Sequence, residues 1–428
     1  MSTQIRVQSL AAGGEGIGRL EGDGQVVFVY GGLPGDLWQG QTRPLGRKAL
    51  KLVAAERLED GPHRIDARCG SRPSCGGCDW HELAPVEALG AKRQVLVDCL
   101  ERLANYTPSI DVESLEIKGA VTGRYRVGLK VGEQGLAYSA HASHELVPLI
   151  QCEALAPALE SVMLNVSSNL HRLPPGIIAV QASLSADGRH CAARLTVSDV
   201  LTPPAIKHLC QAVLRETALD GVWVVTDQGV VEAGQVRLSG LIATGFSKRY
   251  RLRGGGFHQA IPAVNEALVR VVVAEAKAQR RQRIVDMHGG AGNFGLVLAG
   301  KGADVTISET DPHTCDDLKL NAEAFRGRGV VHVAEMKGAQ ALLRCSKRGP
   351  VDAVVFDAPR TGDSEGAKVI AAVRPKRVVA LGCDPATFAR DLKLMGIGER
   401  YRLTRLGLWD AFPGTHHSES LAVLELIT

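Results

Sequence analysis

A cysteine stands where a thiol could act as a nucleophile. Cys383 follows the short apolar run 378–381 and precedes Asp384 and Pro385, a pair typical of a helix start. The positive end of a helix lowers the pKa of a nearby thiol and raises its reactive thiolate fraction. We therefore predict that Cys383 is a nucleophile, the alternative being a small buried side chain.

Two carboxylates occupy comparable positions. Asp357 ends the apolar run 353–356 and could orient a polar edge of a substrate, although Asp-x-Pro is also common in turns. Glu419 enters the last predicted strand from a Pro/Gly loop, where it could act as a general base. His416 and His417, in the same loop, are rivals for that role.

A glycine-rich turn predicts a nucleotide site. Gly290-x-Gly292-x-x-Gly295 lies between a strand and a helix, whose free N–H groups can contact a ligand. Glu309 ends the next strand and could accept hydrogen bonds from ribose hydroxyls, or could simply precede a helix as an N-terminal acid. NAD and S-adenosylmethionine both suit this pattern. We favour the methyl donor, because a cysteine, an acid and a terminal hairpin follow.

Beyond residue 260, short apolar runs alternate with helical patterns. This predicts a Rossmann-like α/β fold with a parallel sheet covered by helices. Segments 401–408 and 421–427 are separated only by a loop and predict an antiparallel hairpin. A parallel sheet with such a hairpin is the layout of class I methyltransferases.

The N-terminal part predicts β structure. The run 26–30 lies between glycine-rich stretches, and short strands between Gly and Pro turns indicate a small OB-like barrel. Residues 37–72 carry eight Lys/Arg against four Asp/Glu, which indicates a solvated surface or a phosphate-contacting strip. Residues 84–105 predict a helix with Lys92 and Arg93 exposed, and residues 120–250 predict mixed strands and helices.

Composition limits the classes of protein. The 428 residues predict about two to four domains, and 45% hydrophobic with 22% charged residues is typical of a globular chain. The net charge of +4 is weak, so nucleic-acid binding would need a local patch. Without a membrane-spanning run or a signal sequence, we expect a cytoplasmic protein with no membrane partner, and we favour a monomer.

The ten cysteines are too sparse for a disulfide scaffold. We expect some of them to be small buried side chains, and these are Cys99, Cys191, Cys210 and Cys345.

Together the motifs resemble the RNA uracil-5-methyltransferase family, in its ribosomal RNA branch, over nearly the whole chain. The segments 14–19 and 33–36 resemble a TRAM domain, an RNA-binding barrel. Cys383 opens the string Cys-x-Pro-x-Thr-x-x-Arg-Asp, and Glu419 closes the string Pro-x-Thr-x-His-x-Glu. The segment 257–259 resembles the family's motif before the methyltransferase fold.

The resemblance implies cofactors and their residues. A [4Fe-4S] cluster, or zinc by ligand type alone, would bind the cysteines of a Cys-x5-Cys-x2-Cys pattern and a distant fourth, namely Cys69, Cys75, Cys78 and Cys152. The resemblance also implies S-adenosylmethionine, and with the glycine turn its binding residues are Gln259, His288, Gly290, Asn293, Glu309 and Asp357.

The implied domains are a TRAM-like OB barrel (1–58), a central α+β domain with the iron–sulfur cysteines (59–255) and a methyltransferase domain (256–428). The implied activity is methylation of carbon 5 of a uridine in 23S ribosomal RNA. Cys383 would form a covalent adduct with uracil, Glu419 would remove the proton and Asp357 would assist. The alternatives are a tRNA uridine-5-methyltransferase, an NAD-linked iron–sulfur oxidoreductase and a non-catalytic RNA-binding factor.

The chain departs from the family's usual motifs. Ala358 replaces a proline, Asp384 replaces an asparagine, His288-Gly289 replaces Tyr-Cys, and Ile261 replaces an asparagine. These changes indicate a diverged branch.

Overall fold

The computed structural model describes residues 2–22, 24–67, 69–71, 74–115, 123–141, 143–239 and 250–427. Arg68 and Arg72, two cations of the predicted basic strip, lie outside these residues. In the described part of the chain, no helix combines the length and apolar character needed to cross a bilayer.

The first sheet along the chain is formed by the N-terminal residues. Its strands are β1 (Thr3–Arg6), β2 (Ser9–Leu10), β3 (Gly16–Arg19), β4 (Val26–Val29), β5 (Leu37–Leu45) and β6 (Ala49–Glu59). They are arranged in the order β1-β5-β6-β4-β3-β2. Alternation in β4 buries Val27 and Val29 beside Ile5, which gives this sheet its own small core.

A helix then leads away from this sheet. Helix α1 (Pro85–Cys99) starts with a proline and continues into a π-helical turn (Leu100–Ala104). The predicted exposure of Lys92 is wrong, because this side chain is buried with 1% relative exposure, and Arg93 is half-buried. Of the four cysteines expected to be buried, Cys345 is only half-buried.

The middle sheet is mixed α+β. Its elements are β8 (Arg126–Gly132), β9 (Gly135–Ser139), β10 (Leu146–Pro148), α2 (Pro157–Asn169), a 3₁₀ turn (Leu170–Arg172), β11 (Ile177–Leu184), β12 (Cys191–Val197), α3 (Pro203–Glu216), β13 (Gly221–Thr226) and β14 (Gly229–Gly234). The seven strands form a sheet in the order β10-β9-β8-β11-β12-β13-β14. The preceding β7 (Glu113–Ser114) belongs elsewhere, and β15 (Arg237–Ser239) pairs with β16 (Arg251–Arg253).

The C-terminal part confirms the predicted alternation. Its elements are α4 (Pro262–Glu275), β17 (Arg283–Met287), α5 (Gly295–Gly300), β18 (Asp304–Glu309), α6 (Pro312–Glu323), β19 (Val330–Glu335), α7 (Gly338–Ser346), β20 (Ala353–Asp357), α8 (Ser364–Val373), β21 (Arg377–Gly382), α9 (Pro385–Met395), β22 (Tyr401–Trp409) and β23 (Glu419–Leu426). The order is β19-β18-β17-β20-β21-β23-β22-β7, with the β22–β23 hairpin antiparallel and β7 added at the edge.

Both faces of this sheet are covered. In β20, Ala353 and Val355 face a core with α4, α5 and α6, whereas Val354 and Phe356 face a core with α7, α8 and α9. Helix α1 contributes Leu96 to the second core, so a helix from far upstream helps to hold the C-terminal sheet. The carboxyl ends of the strands remain as the edge where ligands bind in such sheets.

Candidate active site

Two acidic residues predicted for the site, Glu309 and Asp357, lie at the carboxyl edge of the parallel strands, together with Asp286, which the sequence analysis did not predict. Asp286 is the penultimate residue of β17, whereas Glu309 and Asp357 end β18 and β20. Cys383 directly follows β21, the next strand in the sheet. Parallel register therefore places residues that are distant in sequence along one line.

The hairpin brings Glu419 to the same place. Strand β23 runs antiparallel to β21, with Ser420 opposite Gly382. Glu419 consequently begins its strand where Cys383 leaves its own. Its carboxyl is buried, with 4% relative exposure of the residue.

The electrostatics of Cys383, Asp357 and Glu419 are mutually dependent. Burial raises the pKa of Asp357 to about 6. Burial and the charge of Asp357 raise the pKa of Glu419 well above its ordinary value. Each of these carboxyls is therefore harder to ionise in the free protein than an exposed acid.

The predicted lowering of the Cys383 pKa is wrong. Burial and the negative charges of Glu419, Asp357 and Asp384 raise the pKa of the thiol to about 12. The N-terminus of α9 interacts with Asp384. The Asp384 carboxylate caps the helix and accepts a hydrogen bond of 2.9 Å from the Thr387 backbone N–H. Burial and neighbouring carboxylates thus outweigh the helix dipole at the sulfur.

The glycine turn contacts Glu309 directly. The Gly290 N–H donates a hydrogen bond of 3.2 Å to Glu309 Oε2. The backbone N–H groups of Thr310 and Asp311 donate to Oε1 at 2.6 and 2.9 Å. The carboxylate is therefore fixed beside the glycine turn.

Two other predicted donor-site residues have partners that the sequence analysis missed. His288, whose φ of +60° is in the left-handed region, places Nε2 at 2.9 Å from Asp363 Oδ2. Asn293 and Asn265 exchange two side-chain hydrogen bonds of 2.8 and 3.1 Å. Neither Asp363 nor Asn265 stands in a recognisable motif, so only the fold reveals them.

The segment before α4 lies near the same edge. Gln259 is half-buried, and its carbonyl accepts a hydrogen bond of 2.9 Å from His258 Nδ1. Burial and the Arg126 charge lower the pKa of His258 to about 4, so this histidine is neutral. The Arg126 guanidinium lies 4.7 Å from the centre of the exposed Phe257 ring, a contact that the sequence analysis also missed.

The cysteines predicted to bind metal share one cavity. A cavity of about 310 Å³ is lined by Cys69, Cys75, Cys78 and Cys152. Burial raises the pKa of Cys78 to about 11, opposed by Arg124 and increased by Cys152 and Cys75. Among the residues that the structure describes, no three His, Cys, Asp or Glu side chains are grouped closely enough for a single metal ion.

Comparisons with known proteins place this geometry in a family. Residues 343–427 match the family "tRNA (Uracil-5-)-methyltransferase", and residues 260–382 match "Conserved hypothetical protein 95". An uncharacterized RNA methyltransferase of Gloeobacter violaceus is 31% identical over 98% of this chain and 96% of its own. A 23S rRNA (uracil(1939)-C(5))-methyltransferase of Shewanella amazonensis is 29% identical over 99% of this chain and 95% of its own. The chain belongs to the RNA uracil-5-methyltransferase family.

A solved structure supports the fold of this family member. The Pyrococcus abyssi tRNA (uracil-54, C5)-methyltransferase in complex with S-adenosyl-L-homocysteine matches with a TM-score of 0.71. The match covers 99% of this chain and 100% of that chain at 18% identity. The predicted class I methyltransferase fold of this RNA uracil-5-methyltransferase is thereby confirmed. Family membership leaves the predicted alternative of an NAD-linked oxidoreductase without support.

Proposed function

We propose that this enzyme methylates carbon 5 of a uridine in 23S ribosomal RNA through a covalent Cys383–uracil adduct. The observation that carries the proposal is the convergence of Cys383, Asp357 and Glu419 beside the glycine turn at one sheet edge. The ribosomal target is supported by the name of the Shewanella amazonensis relative. A tRNA target is the second candidate, favoured by the family matched at residues 343–427.

The methyl donor would bind at the glycine turn. Glu309 would accept hydrogen bonds from the ribose hydroxyls, with His288, Gly290, Asn293 and Gln259 around the rest of the donor. S-adenosylmethionine supplies a methyl group on a positively charged sulfonium, a charge that favours the ionised forms of Cys383 and Glu419.

Cys383, Asp357 and Glu419 would then each take one role in the reaction. After the Cys383 thiol has lost its proton, the thiolate would add to carbon 6 of uracil and make an enolate. Carbon 5 would then take the methyl group, and the sulfonium sulfur would keep the electrons of the broken S–CH3 bond and leave as S-adenosylhomocysteine. The Asp357 carboxylate would accept a hydrogen bond from the N–H edge of the base. After methyl transfer, Glu419 takes the proton from carbon 5, the ring double bond forms again, and the Cys383–carbon bond breaks. Because the base must leave its stack to reach the sulfur, a loop or bulge is the expected target.

The other parts of the chain would bind RNA. We assign residues 1–58 to a TRAM-like barrel, 59–255 to a central domain and 256–428 to methyl transfer. Four exposed cations of the described part of the basic strip 37–72, Arg43, Arg47, Lys48 and Lys51, would contact phosphates, whereas the Arg64 side chain is buried in an ion pair with Asp36.

The cysteine cavity suits an iron–sulfur cluster. A [4Fe-4S] cluster is larger than a single ion, so its thiolate ligands lie farther apart than those of zinc. The four cysteines line one cavity, and thiolate sulfur is the ligand that such a cluster takes. When bound, the cluster would organise the segments that carry Cys69, Cys75, Cys78 and Cys152.

The test uses purified protein, radiolabelled S-adenosylmethionine and two RNAs, a 23S transcript and bulk unmodified tRNA. We expect 5-methyluridine in the 23S transcript, located by mass mapping, and a gel-stable protein–RNA adduct when the RNA contains 5-fluorouridine. Cys383→Ala should abolish both signals, whereas Cys345→Ala, at a half-buried thiol outside the site, should preserve them. Methylation of tRNA alone would reject the ribosomal target, and an adduct that persists in Cys383→Ala would reject the nucleophile.

A further inference from the structure

The loop that precedes Glu419 is held by contacts from a distant segment of the chain. Residues 410–418 form this hairpin loop, between β22 and β23. The Trp80 backbone N–H donates a hydrogen bond of 3.0 Å to the Gly414 carbonyl. The next contact involves Asp79, which directly follows Cys78 of the cysteine cavity.

Asp79 binds His416 through both carboxylate oxygens. The His416 backbone N–H donates a hydrogen bond of 3.1 Å to Asp79 Oδ1, and the ring Nδ1 contacts Oδ2. The side chains are largely buried, with 15% and 13% exposure for Asp79 and His416. Two bonds to one residue fix both its backbone and its ring.

A third segment closes over this pair. Gly14, in the N-terminal glycine-rich stretch, has a φ of +96°. A Cβ added there would lie 1.9 Å from Asp79 Oδ2 and 2.8 Å from His416 Nδ1. The Trp80 Nε1–H also donates a hydrogen bond of 2.8 Å to the Gly14 carbonyl. The pair therefore has little room for rearrangement.

The hairpin loop is also bonded within itself. The Thr415 N–H and hydroxyl donate hydrogen bonds of 3.1 and 2.9 Å to the Phe412 carbonyl. The His417 N–H donates a hydrogen bond of 3.2 Å to the Thr415 hydroxyl. The loop is thus bonded together around His416, and Glu419 begins β23 three positions later.

We propose that Asp79 is a positioning residue that, through His416, holds the Glu419 carboxyl where it can remove the carbon 5 proton. The inference rests on the proposed function, because it assigns Asp79 to one step of that mechanism. Together with the Trp80–Gly414 hydrogen bond, the pair links the cysteine-bearing segment to the catalytic edge.

A step-specific assay tests this inference. Without a correctly placed base, the methylated adduct cannot lose its proton, so it should accumulate on ordinary uridine RNA. We expect Asp79→Ala and His416→Ala to lower multiple turnover by about tenfold to a hundredfold. The first methyl transfer should persist, and denaturing gels should show the covalent complex, as they should for Glu419→Gln. A structural defect alone would not trap the adduct.

Matched controls separate the possible outcomes. Glu153→Gln changes an exposed carboxylate beside Cys152 at the same cavity and should turn over normally. Wild-type turnover by Asp79→Ala would overturn the inference, as would loss of both adduct and turnover with unchanged iron content and melting temperature. Reduced iron in Asp79→Ala would also overturn it, because the effect would then pass through the cysteines.

Further variants cover the case in which Asp79→Ala does not fold. Asp79→Asn retains an acceptor for the His416 N–H, so it should show a weaker form of the defect, and His416→Ala tests the same pair from the other side. The absence of an adduct in both would overturn the inference. If wild type and Glu153→Gln both fail to make 5-methyluridine, the proposed function itself is rejected. A trapped adduct in Glu419→Gln with normal turnover in the Asp79 and His416 variants rejects the positioning role alone.

Discussion

Lys92 Nζ lies 2.6 Å from Asp410 Oδ1, so a lysine on α1 binds the first residue of the hairpin loop 318 positions away. The same ammonium donates a hydrogen bond of 3.3 Å to the Phe412 carbonyl. Burial lowers the pKa of Lys92, although Asp410 opposes that effect. The pair joins an upstream helix to the loop that leads to Glu419.

Removal of this ammonium should loosen the loop. Lys92→Met retains the length of the side chain but removes the ammonium bound to the partly exposed Asp410 and one of the three donors to the Phe412 carbonyl. We expect the free energy of unfolding to fall by about 1–3 kcal/mol. Urea denaturation would measure the loss, and amide hydrogen exchange should accelerate in residues 410–418.

Lys368→Met provides the control for this change, because Lys368 is exposed on α8. Its unfolding free energy should remain within about 0.5 kcal/mol of the wild type. Equal stability and exchange in the two variants would show that the Lys92 pair contributes nothing to the loop.

Asp286 should make stability depend on pH. Its Oδ2 accepts a hydrogen bond of 2.8 Å from the Gly295 N–H, and Oδ1 is buried without a partner among the described residues. Burial and the Asp357 charge raise the pKa of Asp286 from 3.8 to about 8. The folded protein therefore retains a proton that the unfolded chain releases between these values, and stability falls as pH rises through that window. The slope cannot exceed about 1.4 kcal/mol per pH unit for this one group.

The variant Asp286→Asn copies the protonated carboxyl and removes this titration. Between pH 5 and pH 8 the unfolding free energy of the wild type should fall relative to that of the variant, so the difference between the two should increase with pH. Asp199→Asn, at an exposed position, should follow the wild-type curve. Parallel curves for wild type and Asp286→Asn would contradict the buried titration.

The sequence predicted the sheet and its functional edge because both depend on local patterns. Short apolar runs between helices specify parallel strands, and the carboxyl ends of those strands are adjacent in any such sheet. Asp357, Cys383 and Glu309 could therefore be placed together in advance. The same reasoning could not place β7 or α1, whose contacts with the C-terminal sheet cross hundreds of residues.

The errors concern groups whose environment depends on tertiary contacts. Lys92 has the spacing of an exposed helical residue, and only the approach of Asp410 shows why it is buried. The Cys383 pKa depends on Glu419, which reaches the thiol through the β21–β23 register. The local sequence around Cys383 predicts the start of a helix, but it does not predict that Asp357 and Glu419 lie close to the thiol.

The Asp384 charge should slow the reaction of Cys383 with alkylating reagents. Asp384→Asn retains an oxygen that can cap α9 but removes one of the negative charges that raise the thiol pKa. A change of about 1 kcal/mol in thiolate stability corresponds to roughly a fivefold faster reaction with iodoacetamide at pH 8. Peptide mapping would give the rate for Cys383, with Cys345 in the same sample as the control. Equal Cys383 rates in both proteins would show that Asp384 does not influence the thiol.

Glu309 should control the affinity for the methyl donor. Its carboxylate is fixed by backbone N–H groups beside the glycine turn, so a ribose diol would find acceptors already in place. Loss of these acceptors in Glu309→Ala should weaken the binding of S-adenosylmethionine by about tenfold or more, measured by calorimetry. Glu335→Ala is the matched control, because Glu335 ends the adjacent strand β19 in register with Glu309 but faces Lys319 instead of the turn. Wild-type affinity in Glu309→Ala would place the ribose elsewhere, and an equal loss in both variants would indicate a general effect on this edge of the sheet.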